Sequence, residues 1–288
     1  MTRRAPRPPG WVPQQHGAWA MLVVPAVVGT TLLVRDHGWR WVALPVLGVT
    51  LVGYLALNAV TLWLKARRKP RYLPPVRAYA ATGALLGLGV LATGPGLAGW
   101  LLVAAPLLAV ALWLASQRRD RALLSGVVTV AAACLLTPVL WSAGLPARAP
   151  LGALSAVADV ARGAGAVPAQ RFGVVVFATI VELAYFVGTV VYVKTMIRER
   201  GQRSWWRASI GYHAAATAAL VAAAWSGIPA GVSGVARWGL AVVLGLATAR
   251  AWLMPVLGPL RGRRITPLQV GLLEIGFSVA VLVGLLLA

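Results

Sequence analysis

The chain has 288 residues, 59% of them hydrophobic and only 11% charged, with a mean hydropathy of +0.79 and a net charge of +21. A soluble globule carries roughly a quarter charged residues, and this much apolar sequence cannot be hidden in one aqueous core. The composition therefore excludes a water-soluble domain and predicts an all-α, polytopic transmembrane helix bundle.

Residues 1–12, with Arg3, Arg4 and Arg7 among prolines, read as a disordered basic cytoplasmic tail. No small-x-small site follows a short apolar core, so a cleavable signal peptide is not expected. From residue 13 to 288 the chain reads as a single transmembrane domain. Nine segments come near the roughly 20 apolar residues that a span needs: 17–34, 41–64, 78–93, 97–116, 122–142, 172–194, 208–228, 234–254 and 267–287. The third is closed by 94-GPG-96, a turn signal. The connection 143–171, the longest, places Leu151, Leu154, Ala158 and Ala161 at helical spacing and is expected to form a short helix on the outer surface. Cys134 is the single cysteine, which leaves no internal disulfide and no thiolate metal cluster.

The charges alternate along this layout. With the N-terminus cytoplasmic, the tail and segments 65–77, 117–121, 194–207 and 250–266 hold 21 of the 27 basic residues, and the other side keeps Arg35, Arg40, Arg148, Arg162, Arg171 and Arg237. This is the positive-inside pattern. It accounts for the net charge with membrane lipid as the partner and no nucleic acid.

Two acids fall inside spans, Glu182 in 179-TIVELAYFVG-188 and Glu274 in 268-LQVGLLEIGF-277. An ionisable group at a helix centre costs about 2.5–3.5 kcal/mol on insertion scales, so these are candidates for proton handling; the alternative is a helix–helix hydrogen bond. His213 lies in 209-SIGYHAA-215, in the first turns of span seven near the cytoplasmic face, either as a ligand or as an interfacial residue. Three histidines on separate segments, with no HxxxH or HExxH pair, predict no metal site. Two basic helix ends stand out. In 58-NAVTLWLKARRKPRYLPPVR-77, Asn58, Thr61 and Lys65 share one helical face. In 192-YVKTMIRERGQRSWWR-207, Lys194 and Arg198 are four apart and expected to point the same way. Together they read either as ordinary basic loops or as a cationic vestibule for a phosphate, diphosphate or carboxylate head.

The stretch 13-PQQHGAW-19, together with 182-ELAYFVGTVVYVKTMIRERG-201, resembles the YwiC-like family of bacterial membrane proteins, which implies a multi-pass protein of the bacterial cytoplasmic membrane. More distantly, the layout resembles the UbiA-type intramembrane prenyltransferases, which carry polar motifs on the basic ends of spans two and six and hold magnesium there against a prenyl diphosphate. Asn58 matches the first asparagine of those motifs, but Ala59, Leu62 and Ala66 stand where acids belong, and Lys194 and Arg198 occupy the second motif. Mg²⁺ needs hard oxygen ligands, so no cofactor is expected. His16 begins span one on the same side as Lys65, Lys194, Arg198 and His213 and, leaning on the resemblance, joins the candidate binding set.

Three functions remain at this point: binding, or transferring, an anionic-headed lipid or isoprenoid at the basic vestibule; a proton-coupled transporter using Glu182 and Glu274; or a non-catalytic partner of a respiratory or envelope complex.

Overall fold

The computed structural model describes residues 10–13, 16–146, 149–165, 167–260 and 265–288; the side chains of residues 16–18 and 258–260 lie outside that description. Among the described residues every regular element is a helix, as a bilayer demands of backbone that has no water to bond. The helices are α1 (His16–His37), α2 (Ala43–Lys65), α3 (Leu73–Thr93), α4 (Leu101–Ser116), α5 (Leu123–Cys134), α6 (Leu136–Ser142), α7 (Gly152–Ala161), α8 (Ala169–Ile197), α9 (Arg203–Ser226), α10 (Gly234–Leu260) and α11 (Pro267–Leu286).

Local chemistry sets their ends. Pro74 and Pro75 sit in the first turn of α3, where a missing N–H does no harm. Thr266 and Gln269 form a reciprocal capping box at α11. Gly227, in the left-handed region at φ 73°, closes α9. α5 and α6 form one membrane span interrupted at Leu135. Pro138 is the cause, since its ring crowds the carbonyl four residues back, at Cys134.

Eight segments are long and apolar enough to cross a membrane. They correspond to eight of the nine expected spans. The remaining one, 208–228, is helical within the 24-residue α9, whose first half (203-RSWWRASIGYH-213) is too polar to be counted with them. α9 packs along α10.

α8 is the central element and touches α1, α5, α6, α7, α9, α10 and α11. α2, α3 and α4 form a layer on the side of α1 and α5, with much apolar surface facing outward, as for Leu85 and Leu102. Within 143–171, α7 forms as a helix and is packed onto the end of the bundle. It buries Ala153 and Val160, and Leu154 abuts Gly99 in the 3₁₀ turn Pro95–Trp100. Ala161 is exposed. The buried face is thus rotated from the one the spacing suggested, toward Ala153 and Val160, where α7 packs on protein. Gly10, Trp11 and Val12 belong to the segment expected to be a tail, yet the chain there already lies on α2 and α3. The Asn58 amide donates to the Gly10 carbonyl at 3.4 Å, and the Tyr79 hydroxyl donates to the Trp11 carbonyl at 2.5 Å. Residues 1–9 lie outside the described residues.

Candidate functional site

One face of α8 carries Glu182, Tyr185, Thr189 and Tyr192, spaced three, four and three residues apart, so all four point in one direction. All are buried. This file begins near the middle of the helix and runs toward the end of the bundle that bears most of the arginines.

Glu182 is fully buried, and its Oε2 lies 2.7 Å from the Thr137 hydroxyl of α6. The same hydroxyl lies 3.2 Å from the Pro25 carbonyl of α1. This approach exists because Gly29 lets α1 close on α6: a Cβ there would stand 2.9 Å from the Thr137 Cα. A hydroxyl has one hydrogen. Turned to Glu182, it serves a carboxylate. Turned to Pro25, it leaves its lone pairs toward Glu182, and the short contact then requires a protonated carboxyl. One rotating hydroxyl therefore suits both forms of the acid. Glu182 Oε1 has no partner among the described residues.

Glu274 is also buried, and its environment is different. Its Oε1 pairs with Arg250 Nη1 of α10, and its Oε2 accepts from Thr189 at 2.8 Å. The Tyr185 hydroxyl lies 3.1 Å from the Glu274 carbonyl and 3.1 Å from Ser278 Oγ. The Arg250 guanidinium lies against two rings, its Cζ 4.0 Å from the Tyr192 centroid and 4.5 Å from that of Phe277. Tyr192, Tyr185, Thr189 and Arg250 were not among the residues singled out from sequence. The α8 spacing was readable in 182-ELAYFVGTVVY-192. Arg250 was counted with a basic loop, and this is corrected: α10 continues to Leu260, so Arg250 lies inside the bundle and not at its surface.

His213 is buried against α8, ten residues into α9 and so about 15 Å from its start. The expected span began at residue 208, and the helix begins five residues earlier, at Arg203. Its Nδ1 lies 2.7 Å from the Ser209 carbonyl, which can only accept, so Nδ1 carries a proton. Its Nε2 stands 3.0 Å from where a Cβ on Gly188 would sit, one turn from Tyr192. His213 thus belongs to the α8 file and not to the basic rim.

The basic helix ends are partly self-neutralised. Lys65 pairs with Asp120 at 2.9 Å. Lys194 lies 3.6 Å from Glu199 and 4.6 Å from the Trp205 ring, whereas Arg198 donates to the Arg121 carbonyl at 3.4 Å. Lys194 and Arg198 therefore turn to different partners. Lys65 and Arg198 do converge, on the Asp120–Arg121 turn between α4 and α5. Asn58 is occupied by the Gly10 carbonyl. The His16 side chain, and Gln14 and Gln15, lie outside the described residues. The two acids at this end, Asp120 and Glu199, each face a lysine.

At the opposite end, buried Asp36 joins three elements. It faces Arg35 at 3.2 Å and Arg171 at 3.3 Å, and accepts from Trp141 Nε1 at 2.9 Å.

Comparison with known proteins gives two findings. The family of YwiC-like proteins matches residues 12–141. The uncharacterized protein YwiC of Bacillus subtilis (strain 168) is 30% identical over 204 residues, covering 70% of this chain and 73% of that protein. No solved structure matches.

Proposed function

Given that the chain belongs to the YwiC-like protein family and is a multi-pass membrane protein, we propose that it is a proton-linked carrier of the bacterial cytoplasmic membrane, with its arginine-rich end toward the cytoplasm. The observation that carries this reading is the buried file Glu182–Tyr185–Thr189–Tyr192, which meets Glu274 and Arg250. Ionisable groups in a membrane core are costly unless paired or used. Glu274 has its pair in Arg250. Glu182 has one hydroxyl partner that accommodates either protonation state.

The test is proton entry into proteoliposomes, followed with an internal pH dye under an inside-negative potassium diffusion potential and, separately, under inward gradients of succinate and of phosphate. Wild-type protein is expected to acidify the lumen faster than empty vesicles, and Glu182→Gln to fall to the empty-vesicle rate. Equal rates for wild type and Glu182→Gln under every condition would overturn the reading.

A second reading is favoured by the convergence of Lys65 and Arg198 on the Asp120–Arg121 turn. Under it, a lipid or isoprenoid with an anionic head binds at that rim and displaces Asp120 from Lys65. Native mass spectrometry of gently solubilised protein is then expected to retain a discrete anionic lipid, which Lys65→Ala/Arg198→Ala loses. An identical lipid complement in both proteins would dismiss the rim as a site.

A further inference from the structure

Ten buried polar atoms lack a hydrogen-bond partner among the described residues, and five of them belong to neighbouring side chains of α8, α9 and α10: Arg250 Nε and Nη2, Tyr192 Oη, His213 Nε2 and Ser209 Oγ. All four side chains are more than nine-tenths buried. A buried polar group left unpaired costs about 1–3 kcal/mol, and more when charged, so this concentration is a strong demand for something polar to fill it.

The donor geometry narrows what that is. Glu274 takes Nη1 of Arg250, which leaves the Nε–H and Nη2–H edge free. That edge is a planar, parallel pair of donors matched to the two oxygens of a carboxylate. The rings of Tyr192 and Phe277 lie against the guanidinium, and with the Glu274 pair they limit how it can turn. Around it, the Tyr192 and Ser209 hydroxyls can donate or accept. His213 Nε2, in the tautomer set by the Ser209 carbonyl, accepts.

From this we infer that the α8–α11 interior is a binding site for a small carboxylate, held bidentately by Arg250 and by donation from the Tyr192 and Ser209 hydroxyls, with His213 Nε2 left to accept from a neighbouring hydroxyl and not from the anion. The inference deepens the carrier reading, and rests on it only in treating this anion as the cargo. Charge balance follows. One guanidinium cannot neutralise two carboxylates, so a proton on Glu274 accompanies the anion. Thr189 and Tyr185 can then accept from the carboxyl as readily as they donate to the carboxylate. Among the described residues, the charged or titratable groups facing Glu274 are Arg250 from α10 and Tyr185 and Tyr192 from α8. α1 also packs on α11 and offers none between Trp19 and Val34.

The experiment uses the full chain in detergent at constant ionic strength, with chloride as reference salt and acetate, benzoate and phosphate as probes. Melting temperature and calorimetric titration are read in two buffers of different ionisation enthalpy. Acetate or benzoate is expected to bind saturably and to raise the melting temperature above the chloride value, with a proton taken up per anion and with phosphate weaker. Arg250→Lys keeps a cation for Glu274 and removes the fork, and is expected to weaken carboxylate binding by about tenfold or more. Tyr192→Phe keeps the ring beneath the guanidinium, loses only the hydroxyl and is expected to bind a few-fold more weakly. It carries the test if Arg250→Lys does not fold. No saturable effect of either carboxylate above chloride would mean that water alone fills the space, and would overturn the site. Wild-type affinity in both variants would overturn it equally. Carboxylate binding without proton uptake would keep the site and remove its proton linkage, and with it the carrier reading, whereas loss of binding alongside intact Glu182-dependent flux would remove the site alone.

Discussion

The spans Pro95–Ser116 and Ala169–Ile197 each contain an 18-residue stretch of mean hydropathy 2.2, yet 22% of that stretch in the first and 61% in the second is buried inside the bundle. Lipid and a helix bundle interior are equally apolar, so hydropathy alone cannot tell a peripheral span from a central one. What separates them is the polar content. α4 has no ionisable side chain, whereas α8 carries Glu182, Tyr185 and Tyr192 on a single buried face. A polar group survives at that depth only where neighbouring helices supply partners. The file along α8 is therefore both the mark of the central position and the place where chemistry is available.

Arg250→Ala should break this contrast most severely. It leaves Glu274 buried without its counter-charge, at a cost of about 3–5 kcal/mol. Thermal unfolding in detergent is expected to show a large loss of stability or no monodisperse protein. Leu102→Ala on the outward face of α4 should stay within about 0.5 kcal/mol of wild type. A peripheral substitution as damaging as Arg250→Ala would mean that the two regions do not differ in the way their burial suggests.

Asp36→Asn should follow in size. The buried carboxylate serves Arg171 and Trp141 together, and hydrogen bonds to a charged group are worth about 1.5–3 kcal/mol each. A clear fall in melting temperature with proton flux per folded molecule unchanged would assign this cluster to holding α1, α6 and α8 together.

Asp120→Asn should be the mildest. Its pair with Lys65 is partly exposed, and such pairs contribute about 0–1 kcal/mol. Stability is expected to change little. Under the lipid-head reading, anionic lipid retention should rise, because Lys65 is then free.

Much of this was legible along the chain. The eight apolar spans follow from runs of sequence and from turn signals such as 94-GPG-96, each a local property. Glu182 and Glu274 declared themselves by being carboxyls in apolar surroundings. Arg250 did not, because an arginine near the end of an apolar run looks the same whether the helix stops there or continues two turns further. The start of α9 was set five residues late for a similar reason: it is polar, and hydropathy does not mark it.

The sequence by itself determined a multi-pass helical membrane protein with two intramembrane acids, since the water-to-lipid transfer of each residue depends on that residue alone. The tertiary structure decided which charges meet. It put Arg250 on Glu274, Asp120 on Lys65, and Thr137 between Glu182 and Pro25. Those pairings depend on how helices far apart in the chain pack side by side, on the close approach at Gly29, and on the break at Leu135. None of these is a property of any single stretch of sequence.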